Sequence, residues 1–343
     1  MAYTTINKST DYFNTKLYTG NGGTQAVTGV GFQPDWVWLK SRSDAYSHQL
    51  FDAVRGTTKL LTSEATDAEQ TISGVTAFGT DGFTVGSDAG SNGNTKTYVS
   101  WNWKAGTGQG SANTDGSINT TYTSVNTTAG FSISKYTGTG SNATVGHGLG
   151  VAPNMVLVKS LSGGGDWTSY HSVLGNTKYM RLNSTNAVGT QSSYWNDTSP
   201  TSTVFSLGSA GDTNTNNGTH VAYCFAEKTG YSKFGSYVGN GSNDGTFVYT
   251  GFKPAFVIVK RTDATQSWYL LDNKRNTFNP EDKYFKVDET SAEDTHTFFD
   301  FISNGFKTRG TGIGYNASGG SYIYMAFAEA PLVGSNGVTA KAR

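Results

Sequence analysis

The sequence predicts an all-β protein made of three tandem homologous β-sandwich domains of jelly-roll or lectin-like form. Three observations carry this expectation. An internal repeat recurs roughly every hundred residues, short β-branched and aromatic runs are bounded by turn dipeptides, and the composition is rich in glycine and aromatics but poor in charge. Of 343 residues 44 are glycine, aromatics make up 13% and charged residues only 15%, where an ordinary soluble chain has roughly 25% charge and about 7% glycine. Such an aromatic content excludes a disordered tail, which lacks the apolar surface to offset the entropy of ordering.

The repeat has two anchors. Leu17-Tyr18-Thr19-Gly20-Asn21-Gly22 recurs as Lys135-Tyr136-Thr137-Gly138-Thr139-Gly140 and as Ser236-Tyr237-Val238-Gly239-Asn240-Gly241. The second anchor holds Pro34, Pro153 and Pro254, three of the six prolines in the chain, each followed by a strand-like apolar run and then by Lys40, Lys159 or Lys260. Proline suits the start of a strand because it has no donor for the ladder. The run of four or five apolar residues before each lysine reads as a strand covered on both faces. Each copy ends on a strand that alternates: Val99, Trp101 and Trp103, then Val221, Tyr223 and Phe225, then Ile323, Met325 and Phe327. In copy two the opposite face carries Ala222, Cys224 and Ala226, the period-two pattern of a sandwich strand. Turn dipeptides such as Asn21-Gly22, Asp81-Gly82 and Asn304-Gly305 punctuate the strands. Helix signals are sparse, with one or two turns expected between Thr62 and Gln70.

These anchors divide the chain into an N-terminal segment (1–9), repeat one (10–105), a Gly/Ser/Asn/Thr-rich linker (106–128), repeat two (129–229), repeat three (230–331) and a C-terminal tail (332–343). Each copy is long enough to close its own core. The 25 Lys+Arg balance 25 Asp+Glu, which argues against nucleic-acid and anionic-membrane partners, since both require a basic excess. The lone cysteine, Cys224, excludes an intrachain disulfide and a cysteine-ligated metal cluster. Neither a signal-peptide core nor an apolar run of roughly 18–20 residues is evident, so synthesis and folding in a cytoplasm are expected.

The combination of Tyr-Thr-Gly-Asn-Gly, Gly31-Phe32-Gln33-Pro34 with Val37-Trp38-Leu39-Lys40, His48 through Gly56, and Tyr98-Val99-Ser100-Trp101-Asn102-Trp103 resembles a repeated domain of uncharacterised function in virion proteins of marine tailed bacteriophages. The opening Ala2-Tyr3-Thr4-Thr5-Ile6 and the ending from Tyr322 to Pro331 are also similar to those proteins. The resemblance implies an exterior component of the particle, a capsid decoration or tail-fibre part. It would be made in the host cytoplasm, assembled with other phage virion proteins and be homo-oligomeric, with a trimer as the candidate symmetry. It brings no catalytic motif.

Residues able to do chemistry are scattered. Asp52 with Arg55 recurs as Asp272 with Arg275, while copy two has His171 and Leu174 in their places. Such a pair reads either as part of a glycan or protein contact or as an exposed loop ion pair worth ~0–1 kcal/mol. Trp167, Trp195 and Trp268 fall near loops, where aromatics stack on sugars or anchor interfaces. Trp167 and Trp268 hold the place of His48, which favours packing. The acidic groups Asp67-Ala68-Glu69, Glu281-Asp282 and Glu293-Asp294 read as solvated loops rather than as a glycosidase pair. The five histidines lack metal-ligand spacing, and the Asp212–Gly218 run departs from a calcium loop. No catalytic, cofactor or metal residue is therefore expected. The sequence predicts a non-enzymatic virion component. The alternatives are a module binding host-surface glycans through exposed aromatics beside Asn or Asp in a concave loop region, and, further off, a glycan-degrading enzyme.

Overall fold

The strand that follows each repeated proline lies inside an antiparallel sheet, between the strand that closes its copy and the strand that comes next in sequence. The computed structural model describes residues 3–276, 278–334 and 337; Met1, Ala2 and most of the expected C-terminal tail lie outside the described residues. In copy one the sheet runs Phe13–Thr19, Thr97–Trp103, Trp36–Ser41, Gln49–Asp52, Gly56–Thr62, Gln70–Thr71. Copy two repeats this order and adds Tyr122–Asn126 at the edge. In copy three the long strand Asp294–Ile302 carries the sheet on into Gly305–Arg309 and Asp244–Tyr249, giving eight strands. The corresponding outer strands of copies one and two form small separate sheets. The register repeats as well: Trp36 opposes Trp103, Met155 opposes Phe225 and Phe256 opposes Phe327.

Both faces of these strands are buried, as their apolar runs require, but against different partners. Outer faces pack within their own copy. Val37, Leu39 and Phe51 meet Val27, Phe83 and Val85; Ala222, Cys224 and Ala226 lie with Phe205 and Leu207; Val257 and Val259 lie with Phe299 and Phe306. Inner faces from all three copies share one cluster. There the Trp36 ring lies 4.5 Å from Trp103 and 4.6 Å from Tyr223, and Phe13 lies 5.4 Å from Phe256. The expectation that each copy closes its own core therefore holds only for the outer half. An inner face of large rings has no small sheet of its own, and the other two copies cover it.

Contacts between copies run in a cycle. Glu69 N donates to Leu161 O (3.0 Å), Val188 N to Thr262 O (2.9 Å) and Glu293 N to Arg42 O (3.0 Å), linking copy one to two, two to three and three to one. This explains why no helix forms at 62–70. Thr62 ends a strand, Gln70–Thr71 pairs at the sheet edge, and the amide between them is used by the neighbouring copy.

The first anchor is a stapled turn. Tyr18, Tyr136 and Tyr237 each donate a 2.6 Å hydrogen bond to a carbonyl just before Asn92, Asn214 or Asn316. Those asparagines accept from the backbone of Asn21, Thr139 and Asn240 in turn (3.0, 2.8 and 3.0 Å). A Cβ on Gly20, Gly138 or Gly239 would sit 2.3–2.4 Å from a carbonyl oxygen, and Gly22, Gly140 and Gly241 have φ of 74°, 69° and 64°. Both glycines are therefore required by the backbone.

The 106–128 segment is no loose tether. The buried Asp35 carboxylate accepts from the backbone of Ala105 (2.7 Å), Thr107 (3.0 Å) and Gly108 (2.7 Å), Ile118 enters the outer cluster of copy two, and Tyr122–Asn126 pairs with Phe131–Thr137. The N-terminal segment is tied to copy three by Tyr3 Oη on Gly251 O (2.7 Å), and Ile6 enters the shared cluster.

Candidate functional site

All seven residues singled out from the sequence are buried, the most exposed being Arg275 at 7%. Six of them lie at the junctions between copies. Asp52 Oδ1 accepts from Arg55 N (2.8 Å), its other oxygen pairs with Arg55 Nε, and Tyr223 Oη of copy two donates to that same oxygen at 2.6 Å. In copy three Asp272 holds Arg275 Nε at 2.6 Å and accepts from Trp101 Nε1 of copy one at 3.0 Å. Arg275 also lies over the Phe285 ring, 4.5 Å from its centroid. Copy two meets copy three without the aspartate–arginine pair: His171 takes the aspartate's place, Leu174 the arginine's, and Met325 stands where Trp101 and Tyr223 stand elsewhere. His171 Nδ1 accepts from Val173 N (3.3 Å), so Nε2 carries the proton and donates to Tyr324 O (3.3 Å). Burial pushes its pKa down to about 4, which keeps the ring neutral.

The loop tryptophans follow the same cycle. Trp167 Nε1 donates to Thr62 O (2.8 Å) and Trp268 Nε1 to Arg181 O (2.9 Å), while His48, which occupies their place in copy one, meets Lys286 O (3.1 Å). The Nδ1 of His48 accepts from Trp38 Nε1 (2.9 Å), so Nε2 is the donor. Trp195, the seventh residue, packs on Tyr170 inside copy two. As placed, none of these tryptophans is an exposed stacking platform, and neither Asp–Arg pair is a surface loop pair.

The lysines six residues after the prolines were not singled out as site residues, yet they mark the same junctions. Lys40 Nζ donates to Thr290 O (3.1 Å), Lys159 Nζ to Thr66 O (3.0 Å) and Lys260 Nζ to Thr185 O (3.1 Å), in each case a carbonyl of another copy. Burial pushes the pKa of each down to about 8. Two acidic groups expected to be solvated are also structural. Glu293 clamps Arg42 through two 2.8 Å bonds, and Glu69 accepts from Arg55 at 3.2 Å.

Copy three carries an open cleft of about 420 Å³ that its fold does not require. Copy one passes directly from Arg55 to its next strand at Gly56, whereas copy three inserts residues 276–280 between Arg275 and the strand Glu281–Lys286. Asn279 holds this loop, donating to Phe301 O (2.9 Å) and accepting from Phe301 N (2.8 Å). Asn276 donates to Asp282 at 2.6 Å. Phe278 stands on the rim, 77% exposed. Glu281, expected in a solvated loop, is only 4% exposed and lines the cleft together with Phe278 and Phe301; among the described residues its Oε2 and the Asn273 Oδ1 have no hydrogen-bond partner. Burial, with Asp272 adding to it, pushes the Glu281 carboxyl up to about 8.

Fold and junctions define a nearly all-β protein whose three sequence copies interlock through buried polar contacts around one core. Residues 8–331 match the family described as a domain of unknown function, DUF7483, and the chain belongs to that family. That one match spans all three copies. No curated protein matches the chain.

Asp52→Ala leaves the buried Arg55 with Glu69 as its remaining carboxylate partner and is expected to cost about 3 kcal/mol, the lower end for a broken buried pair. Tyr223→Phe removes a hydrogen bond to a charged acceptor, about 1.5–3 kcal/mol. Urea unfolding of the double variant should show less than the sum, because both act through one carboxylate oxygen; strict additivity would contradict the junction. Stability should also rise between about pH 8 and 10. The lysine pKa values lie below their ordinary 10.5, so the penalty for burying charge is complete below pH 8 and lifts as the pH climbs. Burial raises the pKa of tyrosines such as Tyr136, Tyr223 and Tyr237; unfolding therefore favours their ionisation and closes the window near 10. The rise should vanish when Lys40, Lys159 and Lys260 are all changed to Met, and a flat wild-type profile would count against the assignment.

Proposed function

We propose that this chain is a non-enzymatic structural component of a bacteriophage particle, carried on its exterior as a capsid decoration or tail-fibre part, with each copy a jelly-roll or lectin-like sandwich. The observation that carries the reading is the use of site-like residues as internal fastenings. Asp52, Arg55, Asp272, Arg275, Trp167 and Trp268 hold copies together, and Cys224 is buried with its thiol pushed up by desolvation. A body fastened this way is rigid without disulfides and presents three related outer faces, which suits attachment to other virion proteins. The resemblance of its anchors to phage virion domains supports the same assignment. Three copies in cycle also bring within one chain the symmetry that a homotrimer would supply.

The test is an antibody raised against the folded chain, applied to purified particles of a phage that encodes it. The reading expects the protein to co-purify with particles and the antibody to label their exterior. Recovery only from the soluble lysate, with bare particles, would overturn it.

A further inference from the structure

We propose that the cleft of copy three binds a pyranose residue of a glycan, with the Phe278 ring under the sugar's C–H face and the Glu281 carboxyl and Asn273 amide oxygen on its hydroxyls. Three independent features point to this chemistry. First, the cleft's volume of about 420 Å³ falls in the range of small-molecule sites, roughly 300–1,000 Å³. Second, Phe278 is 77% exposed on a loop whose neighbouring asparagines are tied to the scaffold, so its ring is held out to solvent with no packing role. Third, Glu281 and Asn273 line the cleft, and each has one side-chain oxygen, closed to bulk water, with no hydrogen-bond partner among the described residues. A native chain leaves few such atoms unsatisfied, and each calls for a reason.

A sugar answers all three at once. Its axial and equatorial hydroxyls donate to the two orphan oxygens, and its apolar face covers an aromatic ring. The charges do not select an ion. Lys253 and Glu329 neutralise each other at 2.5 Å, leaving Lys274 and Glu281 as the remaining charge-bearing groups of the lining. A phosphate or nucleotide would need a basic rim, and a cation would need carboxylates free of lysine.

The groups acting on Glu281 are Asp272, Arg275, Lys253 and Asp282. Asp272 and Asp282 reinforce the effect of burial, while Arg275 and Lys253 oppose it, and the carboxyl titrates at about 8. A ligand that seals the cleft strips the remaining water from this group and favours its neutral form, so binding weakens as the pH rises above 8. The inference stands apart from the particle assignment, because the same cleft would serve a chain that never joins a virion.

Saturation-transfer NMR on the full chain tests it, with methyl glycosides of glucose, galactose, mannose, rhamnose and N-acetylglucosamine as probes and adenosine as the competing planar ligand. At pH 6.5 at least one glycoside should give transfer to its ring protons. Phe278→Ala and Glu281→Ala should each weaken it tenfold or more, while Glu281→Gln should retain it and abolish the decline between pH 7 and 9.5. Tyr249→Ala, which removes another exposed ring (54%) outside the cleft lining, should leave binding unchanged. The proposal is overturned if no glycoside binds, if adenosine binds in their place, if Phe278→Ala binds as wild type, or if Tyr249→Ala weakens binding equally. Phe278 is so exposed that its variant tests the site even if changes at Glu281 disturb folding.

Discussion

Each main sheet turns a stripe of tryptophan, phenylalanine, tyrosine and long aliphatic side chains toward the middle of the molecule, and its own copy offers nothing to cover them. The small outer sheets of copies one and two, and the strands that continue the main sheet in copy three, shield only the opposite face. Left in water, the inner stripes would expose an apolar surface far beyond the patches that soluble monomers tolerate. Three stripes facing one another solve the problem together. The rest of the structure follows from that need: a chain with one or two copies would leave part of the stripe bare, and a third closes it.

Apolar packing alone does not fix which copy meets which, or in what register. The polar groups at the edges of the shared cluster do. Lysine on carbonyl, tryptophan or histidine on carbonyl, and aromatic N–H or O–H on aspartate each recur with the same sense of rotation around the molecule. A buried donor that misses its acceptor costs about 1–3 kcal/mol, so a slipped arrangement would forfeit several such contacts at once. Where Met325 replaces the donor, His171 and Leu174 replace the aspartate and arginine, so the third junction changes its chemistry as a unit. A rigid base of this kind lets copy three carry an inserted loop and an open cleft without loss of the core.

Much of this was legible in the sequence. The prolines, the Gly-x-Gly turns and the alternation of Val99, Trp101 and Trp103 located the repeats and their buried strands, because backbone restrictions and period-two burial leave local marks. The closure of three inner faces on one another was not legible. An apolar face looks the same whether its cover comes from its own copy or from a neighbour. Asp52 and Arg55 were visible as a repeated pair, but their partner Tyr223 lies 171 positions away, beyond any spacing rule. Residues 106–128 have the composition of a linker, and the buried Asp35 carboxylate that helps to order their start lies some seventy positions earlier. Asn92, Asn214 and Asn316 went unnoticed because asparagine is common in these loops; their constant place before the closing strand was the available signal. Glu281 carries no local mark of burial, because its neighbours Asn279, Pro280 and Asp282 are ordinary turn and surface residues.

Scanning calorimetry of the full chain tests the shared core most directly. If the inner faces depend on one another, all three copies melt in a single transition whose calorimetric and van't Hoff enthalpies agree, an outcome otherwise typical of much smaller domains. Two or three resolved transitions, each with the enthalpy of one copy, would show cores that stand alone and would contradict the account.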